Sequence, residues 1–219
     1  MLRRRTALAL IAALALAAAS AASADTEKEQ VRLTAEGGAA ARAALPRKAD
    51  FGSGWTSQAF KPSNDSETGC KTWHPKQADL VRNGEAGITF KYPGVQIDTE
   101  VQVLQTARMV ALDWQRTVLA PQVVPCLRQT LVGSLPAGAK LVSVGRRPFP
   151  KVATYASAIR AVVDVPASGA TLRLFVDLVA VGRGRTEVTM MTTAPLAADA
   201  SLRAAEVRLA RVVASRIAA

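Results

Sequence analysis

The sequence predicts an α+β fold, with helices laid on a mainly antiparallel sheet in the order α-β-α-β-α and one disulfide. Three observations carry that expectation. Residues 140–194 hold four successive runs rich in β-branched residues, joined by turns too short for the crossover that parallel neighbours need. Segments before, between and after the strand runs have apolar residues at helical spacing instead. Cys70 and Cys126 are the only cysteines, and they follow an export leader, so oxidising surroundings pair them.

The leader comes first. Arg3, Arg4 and Arg5 precede an apolar run over 7–19, and Ala22-Ser23-Ala24 offers small residues to a peptidase, so residues 1–24 read as a signal peptide cut near Ala24–Asp25. The run is too short to span a membrane stably. What remains, residues 25–219, reads as a single extracytoplasmic domain: an N-terminal helix over about 26–45, a sheet core over about 50–193 and a C-terminal helix over about 196–217.

Val31, Ala35, Ala41 and Leu45 give the first helix its apolar face, weakened by Gly37 and Gly38. The aromatic, glycine-punctuated segment 51–60 enters a short strand, and 61–69 is a polar loop delivering Cys70. After a short polar or helical piece, Asn83-Gly84 predicts a turn, followed by a hairpin from residues 88–92 and 95–106. In its second strand Ile97, Thr99, Val101 and Val103 face the core, while Asp98, Glu100 and Gln102 face water. Val110, Trp114 and Val118 mark a central helix over 106–120 that stops at Pro121, with a kinked second piece after Pro125 carrying Cys126.

Strand runs follow at 140–147, 152–165, 171–181 and 185–194, with turns between. Leu172, Leu174, Val176 and Leu178 share one core-facing side. Pro195 opens the closing helix, whose stripe is Leu202, Ala205, Leu209, Val212 and Val213, with Arg203, Arg208 and Arg211 outside it.

Cys70, Trp114 on the central helix, Cys126 and the closing segment RTEVTMMTTAPLAADASLRAAEVRLARVVASRI resemble the PknH-like extracellular sensor domains of actinobacterial exported proteins. More broadly the order resembles exported bacterial domains with PsbP-like α/β/α layering. The chain has one cysteine pair where such sensors usually hold two disulfides, and it lacks a lipid-bearing cysteine after the leader. The resemblance implies a domain that binds something outside the membrane, with no catalytic residue to carry over.

Composition narrows the chemistry. A chain with 49% hydrophobic and 21% charged residues is globular rather than disordered. One histidine and two cysteines rule out multi-histidine and zinc-finger metal sets, so neither a metal nor a cofactor is expected. The aromatic loop residues point to a ligand cleft near Cys70 lined by Trp55, Trp73, His74 and Trp114. A net charge of +11 and the cations Arg146, Arg147, Lys151, Arg183 and Arg185, placed at strand ends and turns, point to a patch for an anionic partner. Outside the cell that partner is wall polymer, an acidic envelope protein or, by peripheral contact, anionic lipid, rather than nucleic acid.

Three functions stay open at this level. The first is an exported binding or sensor module without a catalytic site, its small-molecule ligand unspecified. The second is a secreted hydrolase using His74 or a carboxylate pair such as Asp98 and Glu100, although Ser53 lacks the Gly-x-Ser-x-Gly spacing of a nucleophile elbow. The third is a structural envelope protein that holds anionic wall polymer or lipid.

Overall fold

The computed structural model describes residues 28–62, 70, 72–167 and 169–217; the expected signal peptide and most of the expected loop over 61–69 lie outside them. Among the described residues, no helix is long and apolar enough to cross a membrane. Strands β1 (Gln30–Val31), β2 (Thr56–Phe60), β3 (Val81–Tyr92), β4 (Val95–Leu104), β5 (Lys140–Arg147), β6 (Tyr155–Ala167), β7 (Ala170–Arg183) and β8 (Thr186–Pro195) form one sheet. Its order is β1-β3-β4-β8-β7-β6-β5, with β2 also on the outer edge of β3. Every pairing is antiparallel except the two-residue contact of β1 with β3. The expected mainly antiparallel α+β architecture is what the chain adopts.

Helices cover both faces. Helix α1 (Ala35–Ala44) and the closing α4 (Asp199–Arg216) pack on one face, over Phe90, Ile97, Val101, Val179, Val181, Val188 and Met190. On the opposite face lie α2 (Ala107–Asp113), its π-helical continuation Trp114–Val118, and α3 (Val123–Ser134). Thr34 and Thr106 cap α1 and α2 by accepting the backbone N–H of Gly37 and Met109. Pro125 sits in the first turn of α3, where no intrahelical donor is lost, so the helix starts at Val123 rather than after the proline.

The disulfide joins Cys126 on α3 to Cys70, just ahead of the first long hairpin, across a Cα–Cα distance of 5.4 Å. It clips the central helices to the loop before β3, as expected.

Three sequence expectations are corrected. The first helix is shorter than 26–45, because Gln30 and Val31 are drawn into the sheet beside Val81 and Arg82. The turn expected at Asn83-Gly84 is instead the interior of β3, with a register irregularity between Arg82 and Gly84; the chain reverses at Pro93-Gly94, where Gly94 has φ 79°. The face of Asp98, Glu100 and Gln102 is not simply wet, because the central helix covers its inner part.

Gly84 explains its own misreading, since it serves packing rather than turning. A Cβ there would lie 2.1 Å from the backbone of Gly37 on α1, and one at Gly37 would lie 2.2 Å from the Asn83 carbonyl oxygen. The two glycines let helix and strand touch backbone to backbone. Gly84→Ala must therefore push α1 off the sheet, and we expect a loss of about 3 kcal/mol in unfolding free energy, read as a lower urea midpoint. Gly133→Ala, in open space on α3, serves as the control with no loss.

Candidate functional site

Strand alternation puts Glu85, Glu100, Gln102 and Glu187 on the sheet face that α2 covers, because Glu85 pairs with Gln102 and Gln102 with Glu187 in register. α2 ends at Asp113, and its backbone then widens to a π-turn in which the Leu119 N–H donates to the Trp114 carbonyl at 2.7 Å. Such turns recur at functional sites because they re-aim side chains that an α-helix would hold elsewhere. Here Trp114 is 1% exposed, stacked on Tyr155 with ring centroids 5.1 Å apart. A side chain at Gly182 would collide with its indole nitrogen at 2.8 Å, so that glycine gives the ring its seat on the sheet.

Beneath this turn is a cavity of about 240 Å³, lined by Glu29, Glu100, Asp113 and Glu187 with Trp114, Thr117, Gln77 and Gln102. Arg82, 1% exposed, is shared between Glu29 at 2.9 Å and Glu85 at 3.2 Å, and Arg116 on the π-turn, paired with Asp79 at 2.6 Å, also acts on Asp113. Burial pushes the carboxyls of Glu29, Glu100, Asp113 and Glu187 above the ordinary range, most of all Glu187. For Glu187 the neighbouring charges of Asp113 and Glu29 add to that effect, and a hydrogen bond with Asp113 keeps the proton on Glu187. One oxygen each of Asp113 and Glu187 and the indole nitrogen of Trp114 are shielded from solvent without an aligned hydrogen-bond partner. The other Asp113 oxygen is in reach of Thr117 and Gln77, and the Trp114 indole lies near enough to Glu187 to counter part of its rise.

The arrangement can hold a cation, or pass a proton between Asp113 and Glu187. Among the described residues no group of three or more His, Cys, Asp or Glu side chains is disposed to hold a metal ion.

The residues singled out from sequence are not gathered as expected. Trp114 and Glu100 line the acidic cavity, whereas Trp55 packs between Phe51 and Tyr92 near the β3–β4 turn. Trp73 lies beside the disulfide in a separate cavity of about 360 Å³ with Pro121 and Pro125, and His74 is exposed. Asp98 is held by Thr89 and Gln96, at 2.6 and 2.7 Å, rather than paired with Glu100. Four of the five cations are engaged by separate partners. Arg146 donates to the Val118 and Ala120 carbonyls on the α2 face, Arg147 turns to Asp177 and Glu206 on the α4 face, Arg183 reaches the Ala214 carbonyl and Arg185 pairs with Glu36. Lys151 is exposed on the β5–β6 connection.

Glu29, Asp113 and Glu187 were missed by sequence reasoning. The one available signal was a helix carrying Asp113-Trp114 next to strands whose polar alternation includes Glu100 and Glu187, a polar sheet face with a helix to cover it.

No family model, no curated protein and no solved structure matches the chain.

Proposed function

We propose that this chain is an exported, disulfide-bonded binding module whose ligand is a small organic cation, an amine, seated in the cavity under the π-turn. One observation carries the reading: carboxyl groups outnumber cations around an enclosed space. Glu29, Glu100, Asp113 and Glu187 face it, while Arg82 is divided between Glu29 and Glu85 and Arg116, which also acts on Asp113, is paired with Asp79. Uncompensated buried charge is costly, and an ammonium group removes the imbalance while the indole face and Gln side chains surround its carbon skeleton. The cavity volume suits a few heavy atoms, below the usual range for drug-sized ligands.

The test uses the oxidised mature chain, residues 25–219, titrated calorimetrically with 1,4-diaminobutane, n-butylamine and 1-butanol. Either amine is expected to bind with release of the proton held on Glu187, visible as a dependence of the heat on buffer ionisation enthalpy; the alcohol is not. Absence of binding by both amines overturns the reading. The Asp113–Glu187 dyad also favours a second reading as the acid–base pair of a hydrolase. Ester or glycoside turnover abolished by Asp113→Asn, without amine binding, would replace the first reading with the second.

Burial also fixes a pH dependence. The folded-state pKa of Glu187 lies above its ordinary value of 4.5, so its contribution to stability is full below that value and is lost as pH rises through the folded pKa. Glu187→Gln is expected to raise stability at pH 8 by on the order of 1–2 kcal/mol, with no gain at pH 4, in thermal melts at the two pH values.

A further inference from the structure

We infer that a second site, separate from the acidic cavity, takes a single-chain amphiphile with an anionic head. It is a groove of about 640 Å³ between α1 and the outer edge of β3. β1 stops pairing at Arg82 and β2 starts at Gly87, so the stretch between them has no strand on that edge and the groove opens there. Leu33, Leu45, Phe60 and Ile88 line it, and Leu33 is left 49% exposed. Phe60 lies flat over β3, because a side chain at Gly87 would meet its ring at 2.6 Å.

Among the described residues, the lining of this groove carries three cations against one carboxylate, Glu85. Arg42, Arg47 and Lys61 contribute to the lining and are all exposed, and among the described residues none of the three forms an ion pair with an acidic side chain. The nearby carboxylates are already engaged: Glu85 by Arg82 at 3.2 Å, and Asp50 by both terminal nitrogens of Arg216 at 2.7 and 2.8 Å. An apolar channel whose free charges are cationic complements a hydrocarbon tail ending in a carboxylate or phosphate, and repels an amine. The volume lies within the range of enclosed sites for molecules of that size.

Gly38 gives a clean way to close the groove. It lines the groove on α1, and a Cβ there meets only the mobile end of Arg42 at 3.3 Å, so Gly38→Leu fills the space and favours the helix at the same time. Native mass spectrometry and calorimetry of the oxidised mature chain with sodium dodecanoate, below its micellar concentration, are expected to give a 1:1 complex. 1-Dodecanol is expected to bind about tenfold more weakly, as is dodecanoate to Arg42→Glu/Arg47→Glu; Gly38→Leu should bind neither probe while melting no lower than the parent. Equal binding of acid and alcohol, undiminished binding by Gly38→Leu, no complex at all, or association only with phosphatidylglycerol vesicles would each overturn the assignment.

Discussion

Asp177→Asn is expected to destabilise the protein by about 3 kcal/mol, the cost of breaking a buried ion network at its centre. Asp177 is 0% exposed on β7 beneath α4. It accepts two hydrogen bonds from Arg160, at 2.6 and 2.5 Å, and lies 3.1 Å from Arg147. Arg147 also reaches Glu206 on α4, Arg160 reaches Asp199 at 2.6 Å, and Arg203 closes the chain on Asp199 at 2.8 Å. Three cations and three carboxylates thus balance, and the Arg160 guanidinium also lies 4.4 Å from the Phe175 ring centroid. An asparagine keeps the shape and removes the charge, leaving two half-buried guanidinium groups, 13% and 12% exposed, to share one fewer carboxylate. A urea titration with unchanged slope and a lower midpoint is the expected result; a variant within 1 kcal/mol of the parent would show that relaxation or water satisfies the arginines.

The same variant has a pH signature. Burial first, then the Asp177 charge, pushes the Glu206 carboxyl up to about 7. Its stabilising contribution is full below 4.5 and declines as pH rises through about 7. Removing the Asp177 charge lowers the upper limit of that window, so the decline between pH 5 and 7 is expected to flatten in Asp177→Asn. Comparison of the two sheet faces then becomes informative. Under α4 charges are matched, which suits a structural role, whereas under α2 carboxylates exceed cations, which suits a site with a missing partner.

How far the sequence foretold this depended on the distance over which each feature is encoded. The strands over 140–194 and the closing helix are local, written in β-branched alternation and in the Leu202, Leu209 and Val213 spacing, and they form where expected. The disulfide was legible because the chain has only two cysteines and the sequence predicts an export leader ahead of them. Glu206 was not in the expected stripe, because its burial depends on Arg147, 59 positions earlier in the chain. Nor can alternation along β4 tell whether a helix will cover the polar side, so the pattern around Glu100 is the same for a solvated strand face as for the covered one it forms. The cavity joins residues 29, 100, 113 and 187, separations that no periodicity spans. Trp55, Trp73 and His74 failed to gather for the converse reason, since loop composition carries no instruction about which helix a loop will meet.

Replacing both cysteines, Cys70→Ser with Cys126→Ser, is expected to cost about 4 kcal/mol, the loop entropy released by opening a closed segment of this size. The crosslink spans 56 positions and both residues are 5% exposed. The loss should also be uneven. α3 rests on the sheet through partly buried Val123, Val124, Leu127 and Leu131, a thinner contact than the fully buried face of α4, and the coil after Cys70 carries little regular structure of its own. That coil supplies Gln77 to the acidic cavity and Asp79 to Arg116, at 2.6 Å, on the π-turn. Freed from α3, it loosens the cavity wall before the rest of the sheet opens. Hydrogen exchange on the double variant is therefore expected to show lost protection over 72–80 and α3, with β7, β8 and α4 protected to the new global limit. Uniform loss across the chain would mean that the bond acts on the unfolded state alone, and retention of the parent midpoint would mean that it contributes nothing.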